Sequence, residues 1–253
     1  MEIITSRKNA YIKHLRSLAE DGKYRRETGE YVCDGYKLLR DALDAEVEIT
    51  SVLWREGGER LCRGCTCPKQ YEAPDELFDY ASPMKNSPGP VFTCRIPMGL
   101  QENSLHNAII LEDIQDPGNI GTILRTANAF GISAVIMTGA CADIYSPKAV
   151  RSSMGAIFRQ KTMCLKPSQL RDFLAMNNLK LYGALLSQRA EDIRSIRLED
   201  CAVAVGSEGH GLSNELVSLC DGELIIPMME CSESLNAAVA ASVIMWEMAG
   251  RFI

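Results

Sequence analysis

From Ala108 onward, short apolar runs alternate with stretches of helical spacing. Ala108–Leu111, Ala134–Thr138, Lys161–Leu165, Lys180–Leu186, Cys201–Val205 and Glu223–Ile226 read as strands, with helix candidates between them. One helix is expected from about Asn119 to Phe130. Another, the Ala-rich Asn236–Met248, should pack against the core or a second subunit. This alternation predicts an α/β unit with a mostly parallel sheet covered on both faces. Before it lies a smaller α/β pattern: strands at Tyr31–Cys33, Val47–Trp54 and Val91–Ile96, and helices at Asp34–Ala45 (Asp34 as its N-cap) and Asp75–Tyr80. The stretch Pro97–Asn107 breaks the pattern, which divides the chain into residues 1–100 and 105–253.

The 253 residues are 46% hydrophobic and 24% charged, which excludes a wholly disordered, collagenous or coiled-coil chain. No run reaches the roughly 18 consecutive apolar residues that would span a bilayer. The N-terminus lacks the apolar block of a secretory signal, so a cytoplasmic protein without membrane contact is expected. The net charge is −6, −2 over residues 1–106 and −4 over residues 107–253, so neither part carries a general basic coat. The local picture differs. Ser6–Arg26 contains seven Lys/Arg against Glu20 and Asp21, a local +5, with Ile12, Leu15, Leu18 and Ala19 at helical spacing. Two readings stand for this amphipathic segment, a solvated surface helix or an RNA-facing arm.

Ten cysteines are about 4% of the chain, below the roughly 8–10% of a disulfide scaffold. Cys141, Cys164, Cys201 and Cys220 lie singly in apolar surroundings and read as small buried hydrophobes. Cys62, Cys65 and Cys67 include one C-x-x-C step. With no second ligand pair, no H-x3–5-H spacing among His14, His106 and His210, and Cys94 a fourth ligand only if the fold brings it near, an ordinary Cys-rich loop is favoured over a metal site.

Ligands of open α/β sheets gather beyond the carboxyl ends of the strands, and three segments there carry candidate chemistry. The first is Asp116-Pro-Gly-Asn119 through Arg125 to Asn128, where a Pro-Gly turn launches a helix. Its neighbours Ile123, Leu124, Ala127 and Ala129 suggest that Arg125 is partly buried, and its planar fork suits a phosphate. The second is Gly206-Ser-Glu208-Gly-His-Gly211, whose glycines let backbone approach a ligand. It is neither a Rossmann nor a Walker loop. The third runs from Ile226-Pro227 to Ser234-Leu235-Asn236 at a helix entrance, with Leu235 placed to meet an apolar ligand face.

In this order and spacing the three segments resemble the motifs of the SpoU/TrmH family of RNA 2′-O-ribose methyltransferases, over about residues 105–250, including the connecting Ser146–Gly155. The segment from Glu30 to Arg40 is similar to the substrate-binding domain that many members carry. Asp34 and Cys33 stand where Glu and Val are usual. The resemblance implies a SPOUT α/β domain with a deep trefoil knot, preceded by a small L30e-like α/β domain. It further implies a homodimer formed through the knotted domain, and S-adenosylmethionine held by Gly206, Ile226 and Leu235. Asn119, Arg125, Glu208, Ser234 and Asn236 are the functional polar positions it implies, and none is missing.

The expected chemistry is methylation of a ribose 2′-hydroxyl in structured RNA. A separate N-terminal domain favours 23S rRNA over tRNA by analogy. Arg125 is assigned an orienting and electrostatic role rather than that of a base, Glu208 a role in holding Arg125 or shaping its loop, and Asn119, Ser234 and Asn236 contacts to the ribose. A non-catalytic RNA- or ribosome-binding knotted protein is the alternative of another class.

Overall fold

The computed structural model describes residues 1–57, 67–97, 105–229 and 234–249. In chain order its first elements are β1 (Glu2–Ile3), α1 (Ala10–Glu20), α2 (Gly22–Thr28), β2 (Glu30–Asp34), α3 (Tyr36–Asp44), β3 (Ile49–Arg55), β4 (Gln70–Ala73), α4 (Asp75–Ala81) and β5 (Val91–Arg95). Then follow β6 (Asn107–Glu112), α5 (Pro117–Ala129), β7 (Ala134–Thr138), α6 (Pro147–Ser152), β8 (Thr162–Cys164), α7 (Pro167–Met176), β9 (Lys180–Ala184) and β10 (Glu191–Asp192). The last are β11 (Cys201–Val205), α8 (Asn214–Val217), β12 (Gly222–Ile225) and α9 (Ala237–Ala249). The described residues form two compact units, one within Met1–Met98 and Asp143–Phe158, the other within Gly99–Ala142 and Arg159–Ile253. Most of the expected boundary, residues 98–104, lies outside the described residues, as do Cys62 and Cys65. Among the described residues no helix is long and apolar enough to cross a membrane, and no group of three His, Cys, Asp or Glu is placed to hold a metal.

The first unit is built on a mixed sheet of order β1-β4-β3-β5-β2. Ile12, Leu15 and Leu18 of α1 bury against Val32, Leu53, Phe78 and Val91. The basic segment is two helices, not one. Asp21 closes α1 and caps α2, its carboxylate accepting from the Lys23 and Tyr24 amides, because a short acidic side chain competes with the helix for those donors. One of its seven cations is structural: Arg25 is 4% exposed and donates Nε to Asp143 Oδ2 at 2.8 Å and Nη1 to the Leu18 carbonyl at 2.5 Å. Asp34 is not the N-cap of α3. That position is Gly35, at φ 111°, while Asp34 ends β2, buried, and accepts from Ser82 Oγ at 2.5 Å and from Ser87 Oγ.

The second unit is a seven-stranded sheet of order β10-β12-β9-β11-β6-β7-β8, and every one of its pairings is parallel. Helices α5 and α9 lie together, α5 against β7 and α9 against β6 and β11. Leu170 and Leu174 of α7 and Leu216 of α8 join the core formed by Ala108, Ile110, Ala134, Ile136, Leu181, Ala202 and Ala204. Consecutive side chains on both faces of β6, β7 and β11 are buried, all but Asn107 at the start of β6, as the continuous apolar runs require of a parallel sheet. Cys201 is buried as expected, whereas Cys164, near the end of the edge strand β8, is exposed.

Candidate active site

The site is assembled where three chain segments leave the carboxyl ends of β6, β11 and β12. The segment after β11 turns back on itself at once. A Cβ on Gly206 would stand 2.1 Å from the carbonyl carbon and oxygen of Gly211 and 2.6 Å from the Leu212 amide nitrogen, so only glycine permits the turn. Ser207 and Gly211 pair across the loop, with the Gly211 amide donating to the Ser207 carbonyl at 2.9 Å. Glu208 projects from the tip.

One oxygen of Glu208 gathers the other two segments. Oε1 accepts from Asn236 Nδ2 at 2.6 Å, from the Ala237 amide at 3.1 Å and from Asn119 Nδ2 at 3.2 Å. Asn236 Nδ2 also donates to Asn119 Oδ1 at 3.2 Å. Asn236 caps α9, its Oδ1 accepting from the Ala238 and Val239 amides at 3.0 and 3.3 Å. An anionic oxygen on the first amide of α9 also matches the positive end of the helix dipole. On the β6 side, Asp116 rather than Asn119 caps α5, accepting from the Gly118 amide at 2.9 Å. Asn119 therefore lies inside the first turn with its side chain available to the network.

Arg125 departs from the sequence expectation. It is exposed, and so is Ala129, because the buried stripe of α5 runs through Ile120, Gly121, Ile123, Leu124 and Ala127, and at 100° per residue position 125 falls outside it. Glu208 binds the two asparagines and the α9 amide rather than holding Arg125. Among the described residues the guanidinium has no hydrogen-bond or ion-pair partner, which leaves its fork open to an external anion.

Two clefts flank the Glu208 loop. The first, about 340 Å³, is lined by Val205, Gly206, Leu224, Ile226, Leu235 and Ser234 among others. All three positions expected to hold the methyl donor thus face one space. The second, about 620 Å³, is more polar and is lined by Asp113, Gln115, Asp116, Asn119, Glu208 and His210 among others. Ser207, Glu208, His210 and Ala237 border both. Asp113 and His210 are site residues that sequence reasoning missed. His210 stood inside the glycine loop, and Asp113 is marked only by the structure, holding a φ of 56° while its Oδ1 accepts from the Ala140 amide at 2.6 Å. The first cleft fits S-adenosylmethionine: aliphatic walls for a flat ring, bare glycine backbone at one side, and a volume in the ordinary range of small-molecule sites.

A parallel α/β sheet with a glycine loop and a helix N-terminus converging beyond its strand ends defines an enzyme of the nucleotide-ligand type. The chain belongs to the SpoU rRNA Methylase family, which it matches over residues 106–246, and residues 9–89 match the MRM3-like substrate binding domain. It is 28% identical to the 23S rRNA (guanosine(2553)-2'-O)-methyltransferase RlmP of Bacillus subtilis, over 99% of this chain and 100% of the relative. It is 31% identical to an uncharacterized tRNA/rRNA methyltransferase of Synechocystis, over 96% of this chain and 92% of the relative. The crystal structure of an AdoMet-bound rRNA methyltransferase from Sinorhizobium meliloti superposes with a TM-score of 0.86 at 25% identity, covering 100% of this chain and 98% of that one.

Proposed function

We propose that this chain is an S-adenosylmethionine-dependent RNA 2′-O-ribose methyltransferase whose substrate is 23S rRNA. The observation that carries the reading is the convergence of Asn119, Glu208 and Asn236 on the wall between an apolar cleft and a polar one. When bound, S-adenosylmethionine supplies the methyl group as a sulfonium, already electrophilic. Gly206, Ile226 and Leu235 hold it in the first cleft, with Ser234 at the rim.

The second cleft receives the target nucleotide. The difficulty there is a weakly acidic hydroxyl that must lose its proton as it attacks, so position and charge stabilisation supply much of the rate. Asn119, which lines this cleft, directs its amide at the ribose, and Glu208 and Asn236 fix that amide in one orientation. The exposed Arg125 fork grips the neighbouring phosphate. A guanidinium keeps its proton at neutral pH, so Arg125 orients and neutralises rather than acting as base.

The first unit delivers RNA, as its match to a substrate-binding domain suggests, and the 23S target follows the Bacillus subtilis relative. The second unit transfers the methyl group, and we assign it the family's trefoil knot. Val239, Val243 and Trp246 of α9 recur at i, i+4 and i+7, with Trp246 56% exposed. Such a stripe suits burial against a second copy in a cytoplasmic homodimer. The test is calorimetry with S-adenosylmethionine followed by tritium transfer to unmodified 23S rRNA and to bulk tRNA. Binding with incorporation into 23S rRNA supports the reading, incorporation into tRNA alone overturns the substrate, and binding without transfer favours a non-catalytic RNA-binding role.

A further inference from the structure

We infer that Glu112 is a positioning residue of the reaction, holding the Glu208 loop shut through Ser213. Glu112 is the last residue of β6 and is 4% exposed. Both of its carboxylate oxygens are spent on one residue: Oε2 accepts from the Ser213 amide at 2.7 Å and Oε1 from the Ser213 hydroxyl at 2.7 Å. Ser213 Oγ in turn accepts from the Leu216 amide at 3.2 Å, capping α8.

The register explains why this contact bears on the site. Leu111 of β6 lies opposite Val205 of β11, so one step further along the pair of strands Glu112 stands beside Gly206, where the loop departs. The loop carries Glu208 out to Asn119 and Asn236 and returns to Glu112 at Ser213. One residue therefore sits at both ends of the excursion, by its place on β6 at Gly206 and by its side chain at Ser213. It also belongs to the strand that leads through Asp113 and Asp116 to Asn119, so it fixes the first motif to the second.

Glu112 borders neither cleft, so it does not touch the reactants. No cation pairs with it among the described residues. A buried carboxylate held only by neutral donors is costly to keep unless the geometry it imposes is needed. Replacing it with alanine leaves the Ser213 amide and hydroxyl without their acceptors and frees the return of the loop. Glutamine can still accept from the amide and donate to the hydroxyl, which retains most of the clamp.

The inference rests on the methyltransferase reading, and the experiment separates the two. In the full-length protein, Glu112→Ala and Glu112→Gln are compared with wild type for S-adenosylmethionine affinity by calorimetry and for single-turnover transfer to 23S rRNA, each normalised to the folded fraction. The expected result is an affinity and a rate each lowered about ten- to hundredfold in Glu112→Ala, the loss of one buried acceptor pair, with both recovered to within a few-fold in Glu112→Gln. Wild-type affinity and rate in the folded Glu112→Ala fraction overturn the inference even if its melting temperature drops, because the role is then merely structural. Failure of glutamine to rescue overturns it as well. If wild type itself neither binds nor transfers, the functional reading is what fails. Should Glu112→Ala not fold, Ser213→Ala removes the hydroxyl contact alone. It must lower affinity and rate in the same sense, and unchanged values contradict the clamp.

Discussion

Glu208 Oε1 stands 2.6 Å from Asn236 Nδ2, and the same oxygen accepts the first amide of α9. A loop after β11 and the helix that follows β12 are thereby held by one atom, with Asn119 as the third partner. The carboxylate is a hub of the site as much as a candidate participant in it.

Glu208→Ala removes the acceptor of three donors at once. Methyl transfer should fall by at least about a hundredfold, and unfolding free energy by about 1–2 kcal/mol for the lost acceptor. Glu208→Gln keeps a neutral acceptor and should retain a measurable fraction of both. Single-turnover assays with urea melts decide it, and equal losses in the two variants would show that the charge rather than the geometry matters.

Arg125→Ala should abolish methyl transfer while leaving S-adenosylmethionine affinity within several-fold of wild type. Because the side chain is exposed and unpartnered among the described residues, stability should stay within about 0.5 kcal/mol. Calorimetry beside a transfer assay checks both, and wild-type turnover would sink the assignment.

Gly206→Ala places a Cβ 2.1 Å from the Gly211 backbone, which cannot give way as a flexible side chain would. The loop must open, and donor binding should weaken at least about tenfold, in keeping with the 1–3 kcal/mol of an overpacked site. An unchanged affinity would mean that the Gly206 turn does not shape the donor cleft.

All strands of the second unit but the two-residue β10 were legible because parallel strands buried on both faces read as unbroken apolar runs, as in Cys201–Val205 and Ala134–Thr138. The two-residue β1 and the polar β4, Gln70-Tyr-Glu-Ala73, were not. Their pattern carries little apolar signal, and partners distant in sequence define them. The site residues were legible as a set, since glycine turns and helix entrances mark them. Their partners were not: whether Glu208 meets a guanidinium or two amides depends on which face of α5 is buried, and Arg125 lies one position past that stripe. Asp34 shows the same limit. A carboxylate before a helix reads as a cap, but Ser82 and Ser87, far along the chain, claim it.

Burial raises the Asp34 pKa above its ordinary 3.8, with the Ser82 and Ser87 hydroxyls and Arg55 opposing in part. The folded state thus holds this proton more tightly than the unfolded chain, so its contribution to stability is greatest in acid and declines as pH rises through the raised value. Relative to wild type, Asp34→Asn should gain stability as pH rises from the ordinary carboxyl value, about 4, through the raised one. Urea unfolding across that range is the check, and a difference independent of pH contradicts it.

If α9 forms the subunit interface, Trp246→Glu should yield monomer by analytical ultracentrifugation where wild type is a dimer. Within the chain the substitution also removes the edge contact of Trp246 with the Phe130 ring. A dimer that survives the charge places the interface elsewhere.

The most direct measurement is the chemical identity of the product. Purified protein, S-adenosylmethionine and unmodified 23S rRNA are incubated, and the RNA is digested to nucleosides for mass spectrometry. The account predicts one new 2′-O-methylnucleoside, absent with Arg125→Ala. Methylation on a base atom, or no methylated nucleoside from any RNA, would contradict it.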